Sequence, residues 1–124
     1  MIFIIGGAYQ GKLALAKMKY GVGDEEVFTC SGSEIDFSRR CIDHLEEFAL
    51  SCVQTGVDPV LYLADRLPEW KDSILICQDV SCGVVPMDPQ LREWRNVTGG
   101  LCQFLAAHAD QVIRVFCGLE QRIK

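Results

Sequence analysis

Little in this chain suits a membrane, a nucleic acid or an oxidising compartment. No unbroken apolar run exceeds six residues, whereas a bilayer-spanning helix needs about 20. The first residues carry neither the basic segment nor the small-residue cleavage site of a secretory leader. Basic residues are in the minority, 12 Lys and Arg against 17 Asp and Glu for a formal net charge of −5. They form no cluster that would attract a nucleic-acid backbone or an anionic membrane surface. The seven cysteines (Cys30, Cys41, Cys52, Cys77, Cys82, Cys102 and Cys117) include no Cys-x-x-Cys pair, and their odd number and scatter support neither a disulfide framework nor a zinc ribbon. They read as reduced thiols, mostly buried as small hydrophobes. Asn96-Val97-Thr98 matches a glycosylation acceptor only by accident in such a chain. Internal repeats and low-complexity segments are absent. The expectation is a cytoplasmic protein with no membrane insertion and no nucleic-acid partner, folded as one domain over residues 1–124.

What is present concentrates in the first thirteen residues. Ile2 to Ile5 is an apolar run rich in β-branched residues, the pattern of a strand buried on both faces. Gly6-x-x-x-x-Gly11-Lys12 follows at once with the spacing of a phosphate-binding loop, in which glycines let the backbone curl so that successive N–H groups point at phosphate oxygens. Gly6, Gly7, Ala8, Tyr9, Gln10, Gly11, Lys12 and Leu13 are the candidate nucleotide-binding residues, with Lys12 reaching the outer phosphates. The good helix formers from Lys12 to Lys19 place a helix N-terminus, with its partial positive charge, at the end of the loop. One position departs from the pattern. The residue after the lysine is ordinarily Ser or Thr, whose hydroxyl ligates Mg²⁺, and Leu13 has no oxygen to offer. The departure weakens catalysis more than binding. The competing reading is a strand–helix turn whose glycines serve packing alone.

Further along, Glu26 to Cys30 predicts a second strand. Ser33 and Asp36 form a capping pattern ahead of apolar residues at helical spacing from Cys41 to Val53, which predicts a helix from about 34 to 54, ended by Gly56. Asp58-Pro59 opens a short helix running to about Arg66, before Pro68. Ser73 to Cys77 is a second buried strand and delivers Gln78 and Asp79 to its carboxyl end. Asp88-Pro89 begins a long helix with Leu91, Trp94, Leu101, Phe104 and Leu105 on its apolar face. Gly99-Gly100 lies inside that helix and costs about 1 kcal/mol per glycine relative to alanine, so a close helix contact or an irregularity is expected there. Gln111 to Cys117 reads as a strand, Gly118 closes it, and Glu120 to Lys124 reads as a polar tail. The element order is that of an α/β three-layer sandwich with a mainly parallel sheet. In such sheets ligands bind beyond the carboxyl ends of the strands, where the glycine loop and Asp79 both fall.

From Ile74 onward the residues resemble one family. Gln78-Asp79-Val80-Ser81-Cys82-Gly83-Val84-Val85-Pro86, then Arg92-Glu93-Trp94-Arg95, Gly99, Leu105-Ala106-Ala107-His108-Ala109-Asp110-Gln111-Val112 and Gly118 are similar to the C-terminal half of the adenosylcobinamide kinase and adenosylcobinamide-phosphate guanylyltransferase family of cobalamin biosynthesis. Its pattern there is an acidic residue followed by Val-Gly-x-Gly-Ile-Val-Pro, then a helix with an Arg-aromatic-Arg stretch and a run of alanines before Ala-Asp-x-Val. The loop Gly6-Gly7-Ala8-x-x-Gly11-Lys12 matches the same family, and the two blocks cover about half the chain.

The resemblance implies a fold of the P-loop NTP-binding type and a two-step enzyme. A nucleoside triphosphate, ATP or GTP, would first phosphorylate the aminopropanol arm of adenosylcobinamide, and GMP would then pass from GTP onto that phosphate through a guanylylated histidine. Asp79 matches the family's acidic residue and would serve in catalysis and in assisting Mg²⁺. The histidine belongs to an Arg-Ile-x-His-His-like stretch, for which Arg40-Cys41-Ile42-Asp43-His44-Leu45 is the nearest match. His44 is therefore the catalytic candidate, against its reading as a polar residue on the exposed side of a helix, and His108 is taken as structural. Family members are much longer between the second strand and the strand at 74. An active kinase or guanylyltransferase thus competes with a degenerate relative that binds nucleotide without transfer, as partner or regulator. Trp94 and the apolar helices leave room for a homo-oligomer.

Overall fold

The computed structural model describes residues 1–80 and 86–124. The segment 81–85, which carries Cys82 and most of the glycine-rich part of the C-terminal resemblance, lies outside the described residues. Strand β1 (Ile2–Gly6) pairs in parallel with β4 (Ile74–Gln78) on one side and β5 (Gln111–Phe116) on the other. This interior position explains its unbroken apolar run, since both faces must be covered. Ile4 turns to the face covered by α1 (Lys12–Tyr20), where it meets Leu15, Ala16, Ile76 and Ile113. Phe3 turns to the opposite face. There α2 (Leu45–Thr55), α3 (Pro59–Ala64), α4 (Leu67–Trp70) and α5 (Pro89–His108) bury Phe48, Leu63, Trp70, Leu101 and Leu105 against Phe3, Leu75 and Val112. Fully burying one such side chain contributes about 1.5–3 kcal/mol. With β2 (Val27–Thr29), β3 (Cys41–Asp43) and β6 (Leu119–Arg122) the order is β2-β3-β4-β1-β5-β6, parallel throughout except for β6. The expected α/β architecture is therefore present, as a six-stranded, mostly parallel sheet flanked by helices. Among the described residues no helix is long and apolar enough to cross a membrane.

Both proline-based helix starts form as their residues dictate. Asp58 accepts from the N–H of Val60 at 2.9 Å, and Asp88 from that of Gln90 at 2.8 Å, each cap stabilising its helix by about 1 kcal/mol. Pro68 does not end a helix but sits in the first turn of α4. Four further expectations are corrected. The helix placed over 34 to 54 begins only at Leu45, and Cys41–Asp43 is a strand seated between β2 and β4. Its backbone is bonded from both sides, Cys30 N–H to Asp43 O at 3.0 Å and Ile74 N–H to Arg40 O at 2.9 Å, so long-range pairing overrides a local helical period. Asp36 caps no helix and instead bonds the N–H and Oγ of Ser38 in a local turn. The tail is strand β6. Cys117 and Gly118, at φ 51° and 76°, form the tight turn of a β5–β6 hairpin. Lastly, α5 runs unbroken through Gly99 and Gly100, and a Cβ on either would meet none of the described residues within 4 Å, so among these neither a close contact nor an irregularity accounts for them.

The connections locate the crevice. From β1 the chain leaves over one face as α1, and from the adjacent β4 it leaves over the opposite face to α5. The carboxyl ends of β1 and β4 are thus the point at which the chain direction diverges, where open α/β sheets receive ligands.

Candidate functional site

β1 delivers Gly6 to this edge, and the loop then curls into α1. Gly6 lies against the backbone of β5, where a Cβ would come 2.5 Å from the Val115 carbonyl oxygen. Gly11, the residue before α1, has φ 87°, a left-handed conformation that glycine adopts without strain. Tyr9 is also left-handed at φ 59° with its side chain in solvent, so loop geometry rather than packing sets its backbone, at about 1–2 kcal/mol for a non-glycine residue. The β5–β6 turn buttresses the loop. Gln10 accepts from the Gly118 N–H at 3.0 Å through its carbonyl, and from the Cys117 N–H through Oε1. Lys12 Nζ donates to the Gly7 carbonyl at 2.6 Å and holds the loop closed. The first turn of α1 holds no acidic residue and Gly11 gives no side-chain cap, so among the described residues its positive end suits an anion. Leu13 is half-buried against the core under α1. Ala8 is exposed beside Tyr9.

The next strands bring carboxylates to the same edge. Asp79 follows β4 and its N–H donates to the Gly6 carbonyl at 2.8 Å, tying it to the first loop residue. Asp43 ends β3 and is only 5 % exposed. Burial pushes its carboxyl above the usual range, against the opposing charges of His44 and Lys12 and a bond from the His44 N–H at 2.8 Å. His44 is not on a helix face. It occupies the β3–α2 corner at φ 58°, with Nδ1 2.9 Å from Glu46 Oε2 and Nε2 3.7 Å from Asp43 Oδ2. Partial burial alone would lower its pKa, but the Glu46 bond and the charges of Asp43, Glu46 and Glu47 raise it. Glu46 is buried and fully engaged, with Oε1 accepting from the Gln78 N–H at 2.8 Å and its carbonyl from Trp94 Nε1 at 2.7 Å. His108 lies at the far end of α5, tilted against Phe104 with ring centroids 4.4 Å apart.

The loop residues, Asp79 and His44 thus occupy one edge of the sheet; sequence reasoning missed Glu46 as the partner of His44 and set Asp43 beside that ring on a helix rather than at a strand end. The signal for Asp43 was a β-branched residue followed by an acid, Ile42-Asp43, hidden because a three-residue strand fits a helical period as well. Among the described residues no cluster of three or more His, Cys, Asp or Glu is arranged to hold a metal by itself. A donor set of one or two carboxylates completed by ligand phosphates is the habit of Mg²⁺. Asp43 and Asp79 at adjacent strand ends suit that ion, while Leu13 supplies nothing to it. Among the described thiols, burial pushes Cys30 and Cys41 up to about 12, and Cys117 is exposed on the hairpin turn.

Comparison with known families gives one finding. The family described as cobinamide kinase / cobinamide phosphate guanyltransferase matches residues 58–123, just over half of the chain. The match runs from the Asp58 cap into β6 and includes Asp79. No curated protein matches the chain.

Proposed function

Because the chain belongs to the cobinamide kinase / cobinamide phosphate guanyltransferase family, we propose that it binds the triphosphate of ATP or GTP at the loop from Gly6 to Leu13 and transfers from it to a cobinamide. The observation that carries this reading is the meeting, at one sheet edge, of a glycine loop, the open N-terminus of α1, Lys12 and the carboxylates of Asp43 and Asp79. Such transfers demand positioning and charge neutralisation more than covalent help from the protein. Lys12 exchanges the Gly7 carbonyl for an outer phosphate oxygen. Asp43, aided by Asp79, would hold Mg²⁺, which when bound neutralises charge on the phosphates. In the kinase step the acceptor hydroxyl oxygen forms a bond to the γ-phosphorus, the bond from that phosphorus to the bridging oxygen breaks, and the nucleoside diphosphate leaves with the electron pair. The hydroxyl proton would pass to a carboxylate, and the bond from the Asp79 N–H to the Gly6 carbonyl supports Asp79 in that role.

His44 suits the nucleotidyl step. A carboxylate only accepts, so Glu46 at 2.9 Å fixes the proton on Nδ1 and leaves the Nε2 lone pair free. Nε2 would bond to the α-phosphorus of GTP as pyrophosphate leaves, and an oxygen of cobinamide phosphate would then displace the imidazole. A second reading, a binding-only relative acting as partner or regulator, is favoured by Leu13, which has no oxygen and would leave the metal one ligand short. Incubation with α-labelled GTP and an acid quench separates the two. Label retained on the wild type and lost in His44→Ala supports transfer, whereas no retained label together with no phosphate passed from γ-labelled ATP or GTP to cobinamide leaves binding alone.

A further inference from the structure

At one end of the sheet β6 pairs with β5 alone among the described residues, and all four of its residues are exposed. In an antiparallel ribbon successive residues turn their N–H and C=O groups alternately toward the partner and away from it. The Cys117-Gly118 turn closes on the pair Phe116 and Leu119, and the Ile123 N–H donates to the Val112 carbonyl at 2.8 Å. Leu119, Gln121 and Ile123 therefore direct their backbone groups to β5, and Glu120 and Arg122 point theirs away from the sheet. Such a row is a template for another strand unless proline, a bulge or repelling charges blunt it. This edge has no proline, and its two charges are of opposite sign. Side chains alternate between faces as well. Glu120 and Arg122 fall on the face of α1, where Lys19 Nζ meets Glu120 Oε2 at 2.6 Å. Leu119 and Ile123 fall on the other, 73 % and 60 % exposed.

We propose that the outer edge of β6 is an interface between two copies of this chain, joined antiparallel about a two-fold axis at Gln121 into one continuous sheet. Charge selects the register. Outward-pointing backbone groups must face outward-pointing groups, which leaves Glu120 opposite Glu120, Arg122 opposite Arg122, or each opposite the other. The first two set like charges directly against each other, which is destabilising, whereas the third matches Glu120 of each copy with Arg122 of the partner subunit, twice over. The same register sets Leu119 opposite Ile123 of the partner subunit on the other face, so both exposed apolar side chains gain an apolar neighbour. A patch that complements itself in this way makes a closed, isologous contact. Pairing one short strand buries less than a standard interface, so monomer and dimer exchange with a dissociation constant of about 1–100 μM.

Sedimentation equilibrium at low salt, where exposed charges are least screened, tests this on the wild type, Arg122→Glu, Glu120→Arg and an equimolar mixture of the two variants. The wild type should populate a dimer as its concentration rises through the micromolar range. Either substitution alone sets like charges in both pairs and should raise the dissociation constant about tenfold or more. In the mixture, unlike copies restore opposite charges in both pairs and should associate as the wild type does. Both side chains are exposed, so circular dichroism should find each variant folded. Should either fail to fold, amide exchange in the wild type decides: the Glu120 and Arg122 amides should exchange more slowly at dimer-forming concentration, because only the new pairing protects them. A wild type that stays monomeric or forms an assembly other than a dimer overturns the proposal. So does a dimer indifferent to both substitutions, a mixture no more associated than its components, or exchange at the two amides that is independent of concentration.

Discussion

Replacing Asp43 by asparagine should make the ligand-free protein more stable and its Mg²⁺-dependent nucleotide binding weaker. Asp43 is 5 % exposed, and burial raises its folded-state pKa above the unfolded value. The folded protein then holds more protons than the unfolded chain, so the stability present below the unfolded pKa is lost as pH rises through the folded one. At neutral pH the ionised carboxylate is a net cost. Asparagine keeps an Oδ1 acceptor for the His44 N–H, now at 2.8 Å, and removes the charge that burial opposes. Loss of attraction to Lys12 and His44 offsets part of the relief. The remainder should be about 1 kcal/mol, the size typical of single substitutions, or a rise in Tm of roughly 3–5 °C for a domain of this length. Thermal melts at pH 7 and at pH 4.5 measure it, and the gap between variant and wild type should narrow at the lower pH. Calorimetry with ATP, with and without Mg²⁺, measures the other half, and the variant should lose most of the metal-dependent gain in affinity. A variant that melts several degrees below the wild type, or that retains the full Mg²⁺ effect, refutes the reasoning.

Gly6→Ala places a Cβ 2.5 Å from the Val115 carbonyl oxygen, which is backbone and moves only with β5. It should cost about 1–3 kcal/mol, and an unchanged Tm would show that the strand ends yield freely. Glu46→Gln keeps an acceptor for the ring but removes the charge by which Glu46 helps to raise the His44 pKa, so an NMR titration should find the imidazole titrating at lower pH in the variant. An identical midpoint would mean that Glu46 does not set this ring. Only a neutral imidazole attacks phosphorus, so any covalent GMP label should rise with pH through the raised His44 pKa. A label independent of pH from about 5.5 to 8.5, roughly three units spanning an ordinary histidine, would place the nucleophile elsewhere.

What could be read from residues alone was what local chemistry decides. The run Ile2 to Ile5, the glycine loop and α1 are contiguous, and each element signals the next. The same holds for the Asp58 and Asp88 caps, whose side chains bond N–H groups two residues on. Strand β3 was hidden because its identity lies in its neighbours. Three residues gain strand character only when β2 and β4 flank them, and the same residues satisfy a helical pattern. With β3 went the strand-end setting of Asp43 and the true setting of His44, a corner beside a buried glutamate rather than an exposed helix face. β6 escaped for a related reason: Leu119–Arg122 is exposed throughout and becomes a strand only through the Cys117-Gly118 turn.

The account rests on a triphosphate binding at the loop from Gly6 to Lys12. Calorimetric titration of the wild type and of Lys12→Ala with ATP and with GTP, each with and without Mg²⁺, tests this most directly. Lys12 supplies a cation at the open end of α1 and holds the Gly7 carbonyl only until a phosphate arrives. The wild type should therefore bind at least one of the two nucleotides at micromolar to submillimolar concentration, and Lys12→Ala should bind it about tenfold or more weakly, a loss of roughly 1.4 kcal/mol or greater. Equal affinity in the two proteins, or no heat of binding from either nucleotide at millimolar concentration, would contradict the account.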